Sequence, residues 1–291
     1  MKTKHIISSN ARGKHRIVYQ DWGDENNPRV LLCVHGLTRN SRDFDYIADH
    51  LSSQYRVIAP DIVGRGQSDW LADSSLYTLE QYINDMGSLL KALNIGEVDW
   101  LGTSLGGLIG MAIASAPHSP IKHLILNDIG PVIKKEAIAY LATSLAETPH
   151  FNSLDELKGF LKEAYSAMGH LDHGFWEHMA TYDHRITPEG RLTRNFDPKI
   201  THWVGSMTSA DLAMWDLWEN IQCPTLVLHG ELSIILTPEI CKEMLARNSH
   251  ATVVTLPKVG HTPSLMTEAQ IAVVENWLKT TAERPKQRER S

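Results

Sequence analysis

A serine set among glycines is the first place where this sequence could do covalent chemistry. Gly102-Thr103-Ser104-Leu105-Gly106 directly follows the strand-like run Val98 to Leu101 and directly precedes a small-residue helical stretch, Leu105 to Ala116. In a strand-to-helix turn of this kind the hydroxyl is held on a strained backbone, and the flanking glycines leave room for neighbouring segments. The following helix aims its first N–H groups at developing negative charge. A second candidate is His35-Gly36-Leu37, at the end of the apolar run Val30–Val34. An N–H at Leu37 beside the N–H of Leu105 would give two donors for an oxyanion. The third is Val259-Gly260-His261, in the loop between the last strand and the last helix. A histidine there reaches the serine as a general base. The chain has fifteen histidines, so it is position, not residue type, that singles out His261. Each segment also has a plain architectural reading, as a close-packed turn, a strand end or a surface loop.

Those residues need elements to hold them. Strand patterns fall at Arg16–Gln20, Val30–Val34, Arg56–Pro60, Val98–Leu101, Ile121–Asn127, Pro224–Leu228 and Ala251–Leu256. Continuous apolar runs such as Val30–Val34 suit strands buried on both faces. Helix patterns lie between them. Thr78-Leu79-Glu80-Gln81 is a capping box opening a helix to about Leu93, and Ser153-Leu154-Asp155-Glu156 and Thr267-Glu268-Ala269-Gln270 open two more. Thr237-Pro238 opens another with proline at its first turn. Strands alternating with helices imply a mainly parallel sheet. After Pro131 the strand pattern stops for roughly 80 residues, where apolar positions take helical spacing and Trp176, Trp203, Trp215 and Trp218 gather. The stretch reads as a helical insertion, with its tryptophans mainly in the core.

Composition sets the outer bounds. The chain has 291 residues, 42% hydrophobic and 21% charged, enough to bury a large core without staples. A net charge of -6 argues against nucleic acid or anionic membrane as the main partner. No apolar run is long enough to span a bilayer, and Met1–Asn10 lacks the apolar stretch of a secretory leader. Cys33, Cys223 and Cys241 have no metal spacing and leave one over from any pairing, which suits a reducing cytoplasm. His170, His173, His178 and His184 fit no standard zinc spacing, so no metal is expected. The segment Glu283–Ser291, with its basic Pro285-Lys286-Gln287-Arg288, reads as a frayed, solvated end.

Taken together these stretches resemble the α/β-hydrolase fold family with a helical cap, and the likeness runs over almost the whole chain. It rests on Val34-His35-Gly36-Leu37-Thr38, Asp61-Ile62-Val63-Gly64-Arg65-Gly66-Gln67-Ser68-Asp69, Gly102-Thr103-Ser104-Leu105-Gly106-Gly107, Leu126-Asn127-Asp128-Ile129-Gly130-Pro131 and Gly260-His261, in the family's order. The resemblance implies a mostly parallel eight-stranded sheet flanked by helices. The core would be residues 1–131 and 216–291, with the cap at 132–215. It also implies Ser104 as nucleophile, His261 as base, and the N–H groups of Leu37 and Leu105 as the oxyanion hole. Asp61–Asp69 would shape a turn and wall the pocket. A serine at 104 argues against the family's dehalogenases and epoxide hydrolases, which are similar to one another in using aspartate. The expected function is hydrolysis of a small carboxylic ester through an acyl-serine by a monomer or homodimer, without cofactor. A C–C or lactone hydrolase using the same serine, and a ligand-binding homologue without catalysis, are the alternatives.

One position departs from the pattern. Family members resemble one another in carrying an aspartate a few residues after the strand that corresponds to Pro224–Leu228, and here that place is held by Ile234. Isoleucine can neither fix a histidine's tautomer nor stabilise an imidazolium. Losing only that acid lowers turnover by about four orders of magnitude. Three readings stay open: an enzyme weakened or redirected at Ile234, another carboxylate (Asp128 or Glu231) in its place, or a pocket used only for binding. Asp128 also reads as a loop-capping residue, and Glu231 stands at the wrong offset.

Overall fold

The computed structural model describes residues 1–145, 149–201, 204 and 209–282. Trp203 and the charged end Glu283–Ser291 lie outside the described residues. The main sheet has eight strands: β1 (Lys2–Asn10), β2 (Gly13–Trp22), β3 (Val30–Val34), β4 (Arg56–Pro60), β5 (Val98–Thr103), β6 (Ile121–Asn127) and, after an insertion, β12 (Thr225–Gly230) and β13 (Ala251–Leu256). Their order is β1-β2-β4-β3-β5-β6-β12-β13. β1 and β2 form an antiparallel hairpin, β2 meets β4 antiparallel, and every pairing from β4 to β13 is parallel.

β3 shows why the sheet centre reads as unbroken apolar sequence. Val30, Leu32 and Val34 enter one core cluster while Leu31 and Cys33 enter the other, so alternate side chains bury on opposite faces. On one face lie α1 (Asp45–Leu51) and the helix Glu268–Ala282. On the other lie α2 (Leu79–Ala92), α3 (Leu105–Ala114) and the helix Pro238–Arg247. The cap residues are those the sequence indicates: Thr78, Ser153 and Thr237 each accept a backbone N–H three residues on.

Two features depart from the sequence reading. β1 was not expected, because Lys2–Asn10 has no apolar run. Only Ile6 and Ser8 of it turn inward, and the charged Lys2 and Lys4 keep this edge from pairing further. The insertion after β6 is not helical throughout. Besides the helices Lys135–Ser144, Leu154–Ala164 and His173–Tyr182, it holds β7 (Val132–Ile133), β8 (His150–Phe151), β9 (His184–Ile186), β10 (Leu192–Arg194) and β11 (Leu212–Ala213). β8-β10-β9 form a small sheet and β7-β11 a ribbon. Strands of two or three residues leave no periodicity to read. The insertion has a small core of its own, Phe151, Leu157, Leu161, Trp176 and Met179, which closes on Met266 beside the His261 loop. Trp176 and Trp218 are buried, as the reading of the tryptophans as core expects, while Trp215 is half-buried.

Candidate active site

Ser104, Asp128, His261 and the Leu37 turn all lie at or just beyond the C-terminal ends of parallel strands, where open α/β sheets hold their ligands. Ser104 follows β5 and caps α3, with φ 49° and ψ −111°, a left-handed backbone rare outside glycine. The surrounding glycines make that turn possible. A Cβ on Gly106 would stand 2.0 Å from the Val34 carbonyl oxygen, and one on Gly102 would stand 2.3 Å from that of Gly106. α3 therefore presses directly on the sheet, leaving Ser104 half-buried and reachable.

His261 joins the serine to an acid. Its Nε2 lies 3.2 Å from Ser104 Oγ and its Nδ1 lies 2.8 Å from Asp128 Oδ2. A carboxylate only accepts, so Nδ1 carries the hydrogen and Nε2 is the acceptor facing the serine hydroxyl. Asp128 is fully buried, and its three hydrogen bonds go to distant segments. Oδ1 accepts from the Gly230 N–H at 2.7 Å, and Oδ2 accepts from Ser233 Oγ at 2.5 Å as well as from His261. A loop-capping aspartate would bond within its own turn.

The two other positions weighed for the acid lie elsewhere. Ile234 is 58% exposed and takes no part in these contacts. Glu231 is exposed and accepts from the Lys258 backbone N–H at 2.8 Å. The loop that would carry an acid at 234 contributes Ser233, whose hydroxyl holds the N–H groups of Ile235 and Leu236 while donating to Asp128. β6 and β12 are parallel neighbours, with Asn127 opposite Leu228. Adjacent strands are about 4.8 Å apart, so an acid at either strand end faces the same histidine.

The Leu37 turn stands against the serine: a Cβ on Gly36 would lie 3.7 Å from Ser104 Cβ. Neither the Leu37 nor the Leu105 N–H has an acceptor among the described residues. Two free donors beside a serine hydroxyl are able to stabilise a tetrahedral oxyanion. Residues 29–146 match the alpha/beta hydrolase fold. A 3-hydroxybutyrate-oligomer hydrolase of Cupriavidus necator is 39% identical over 273 residues, spanning 91% of this chain and 93% of that protein. The chain belongs to the alpha/beta hydrolase fold family. A solved structure from Rickettsia typhi superposes with a TM-score of 0.91 at 35% identity, over 96% of this chain and 99% of that one. An alpha/beta hydrolase from Novosphingobium aromaticivorans gives 0.85 at 32% identity, over 96% and 98%.

In this alpha/beta hydrolase the Leu37 turn is held by buried polar groups. His35 Nδ1 donates to the Gly36 carbonyl at 2.7 Å, and its Nε2 accepts from the Ile62 N–H at 2.9 Å. That pattern requires the neutral ring, and burial pushes the His35 pKa down to about 3. Arg65 Nε donates to the Leu37 carbonyl at 2.8 Å. The Asp61 carboxylate, its pKa raised by burial, accepts from the N–H groups of Ser41 and Gln67 and so shapes the 61–69 turn.

The insertion is tied to this turn by charges that sequence reasoning missed. Arg39 donates to Asp43 and, at 3.0 Å, to Asp183; Arg194 donates to Asp183 at 2.6 Å and to the Tyr165 hydroxyl at 2.7 Å. Burial works against both guanidiniums, but Asp183, with Asp43 at Arg39, outweighs it and raises their pKa values. Nothing in the sequence marks these charges as interior, since Arg and Asp are ordinarily surface residues. Of the histidines in the insertion, His178 Nε2 donates to the Arg42 carbonyl and His184 Nδ1 to that of Ala180.

Proposed function

We propose that this alpha/beta hydrolase cleaves short carboxylic esters through an acyl-serine, with Asp128 as the acid of its triad. The observation that carries the reading is the unbroken line from Asp128 through His261 to Ser104, beside the free N–H groups of Leu37 and Leu105. Ser104 Oγ attacks the ester carbonyl as His261 Nε2 takes its proton. The Leu37 and Leu105 N–H groups hold the oxyanion. Protonated His261 then gives its proton to the departing alkoxide. Asp128 keeps the ring in its reactive tautomer and stabilises the imidazolium. In the second half His261 draws a proton from water, which attacks the acyl-serine, and then returns that proton to Ser104 Oγ as the acid leaves. The activity is not impaired by Ile234, because the acid comes from the neighbouring strand.

The substrate class we infer is the linear oligoester of 3-hydroxybutyrate, on the strength of the Cupriavidus necator relative. The cap at about 132–215 would form the wall facing the acyl chain. The experiment is hydrolysis of p-nitrophenyl acetate and butyrate and of the 3-hydroxybutyrate dimer by the chain and by Ser104→Ala. The expected result is turnover of all three, lowered by at least about 10³-fold in Ser104→Ala. Equal rates in both proteins would overturn the nucleophile assignment. Turnover of the p-nitrophenyl esters without the dimer would remove the substrate class and leave the mechanism.

A further inference from the structure

The turn after β4 contains an arginine whose burial the proposed reaction does not yet use. Arg65 is fully buried and lies within 4 Å of no carboxylate oxygen among the described residues. Its Nη1 donates to the Val63 carbonyl at 2.7 Å and to the Tyr82 hydroxyl at 2.9 Å, and its Nη2 is a buried donor without a partner. The rings of Tyr82 and Tyr77 lie 4.9 and 5.9 Å from the guanidinium carbon. Tyr77 is itself tied to an acid, its hydroxyl donating to Asp197 at 2.7 Å.

The local chain is shaped to achieve this burial. Gly64 and Gly66, on either side of Arg65, both have positive φ, 85° and 53°. A Cβ on Gly64 would meet the Tyr77 ring at 2.7 Å, and one on Gly66 would meet the Asp61 carboxylate at 2.2 Å. The returning segment of the insertion then closes the turn: Gly66 N–H donates to Asn195 and Asp197 N–H to Gly64. Burying an ion without a counter-ion is strongly unfavourable, so a bland packing role would be met better by an apolar side chain. What sets Arg65 apart is its remaining bond, Nε to the Leu37 carbonyl.

We propose that Arg65 is a positioning residue for the oxyanion hole: it holds the Leu37 peptide in register and sets an unneutralised positive charge behind it. The inference rests on the acyl-serine reading above. As the ester carbonyl becomes an oxyanion, a fixed cation in a water-poor setting favours the transition state over the neutral ground state. Binding of the uncharged substrate gains little from it. Arg65 touches neither substrate nor Ser104 and acts through Leu37.

The test compares the wild type with Arg65→Met, Arg65→Lys and Ser104→Ala, each with its thermal midpoint, and the three that keep Ser104 with an active-site concentration from titration with a fluorophosphonate. For p-nitrophenyl butyrate, Arg65→Met is expected to lower kcat by about 10–100-fold per active site, with KM within about twofold. Arg65→Lys, which keeps the charge and one donor, is expected to recover part of that loss. Affinity for phenylboronic acid, which becomes an anionic tetrahedral adduct on the serine, should fall with kcat in Arg65→Met, while inhibition by the uncharged butyramide stays unchanged. If Arg65→Met does not fold, Arg65→Lys and its boronate affinity carry the test alone. An unchanged kcat per active site, or equal losses for boronate and butyramide, would overturn the proposal. A wild type that matches Ser104→Ala would instead overturn the acyl-serine reading beneath it.

Discussion

Asp128 and His35 show opposite uses of a buried titratable group. Asp128 is held by three donors, from Gly230, Ser233 and His261, each reaching it from a segment far along the chain. His35 is held neutral, with one ring nitrogen donating to the Gly36 carbonyl and the other accepting from Ile62. Its folded pKa, about 3, lies below the ordinary histidine value. Between those two pH values the unfolded chain binds the extra proton, so His35 stabilises the fold above about pH 6.5. That contribution is lost as pH falls towards 3, by at most about 1.4 kcal/mol per pH unit. His35→Asn is therefore expected to be less stable at pH 7 and to lose stability less steeply than the wild type from pH 6.5 to 4. Urea denaturation at several pH values would check this, and parallel pH profiles for the two proteins would contradict it. Residue by residue, Ser104 and His261 stand out in the sequence because each sits in a short motif with a distinct local geometry, and the structure brings the two side chains together. Asp128 does not stand out, since whether it caps its own loop or faces His261, 133 positions further on, is decided by the tertiary fold.

Strand ends and the insertion that covers them form the next scale. The Ser104 turn requires α3 to press on β3 without side chains between them, which Gly106 permits. The insertion is fastened to the Leu37 turn through Asp183, whose Oδ2 accepts from both Arg39 and Arg194. Removing that carboxylate leaves two buried guanidiniums short of a counter-charge. Asp183→Ala is expected to cost about 3–5 kcal/mol, or roughly 6–15 °C in Tm. The expected kinetic counterpart is a lower kcat, because Arg39 lies two residues from Leu37. Calorimetry and p-nitrophenyl butyrate kinetics would read the two effects, and a Tm within about 2 °C of wild type would contradict the clamp. At this scale the sequence shows the central strands and main helices well, because burial on both faces and capping residues are local signals. It hides β1 and the five strands of the insertion, where polar alternation or two-residue length removes the signal. It also hides the Arg39–Asp183–Arg194 cluster, since a charged residue carries no mark of burial until tertiary pairing supplies one.

Across the whole molecule the candidate site is an edge-on view of the parallel sheet. Leu37 follows β3, Ser104 follows β5, Asp128 follows β6, Ser233 follows β12 and His261 follows β13, and these five strands are consecutive in the sheet. The fold therefore offers two places for an acid, the end of β6 and the loop after β12, and in this chain the buried carboxylate that meets His261 stands at the first. The residue that the sequence pattern places at the second, Ile234, is solvent-facing, while its neighbour Ser233 supports the acid from the side. Among the described residues no helix is long and apolar enough to cross a membrane. The account stands or falls on Asp128, and the direct measurement is kcat for p-nitrophenyl butyrate in Asp128→Asn and Ile234→Asp beside the wild type. With the fold verified by circular dichroism, Asp128→Asn is expected to lose about 10³–10⁴-fold in kcat while Ile234→Asp stays close to wild type. An Asp128→Asn protein that turns over within about threefold of wild type would contradict the assignment of the acid.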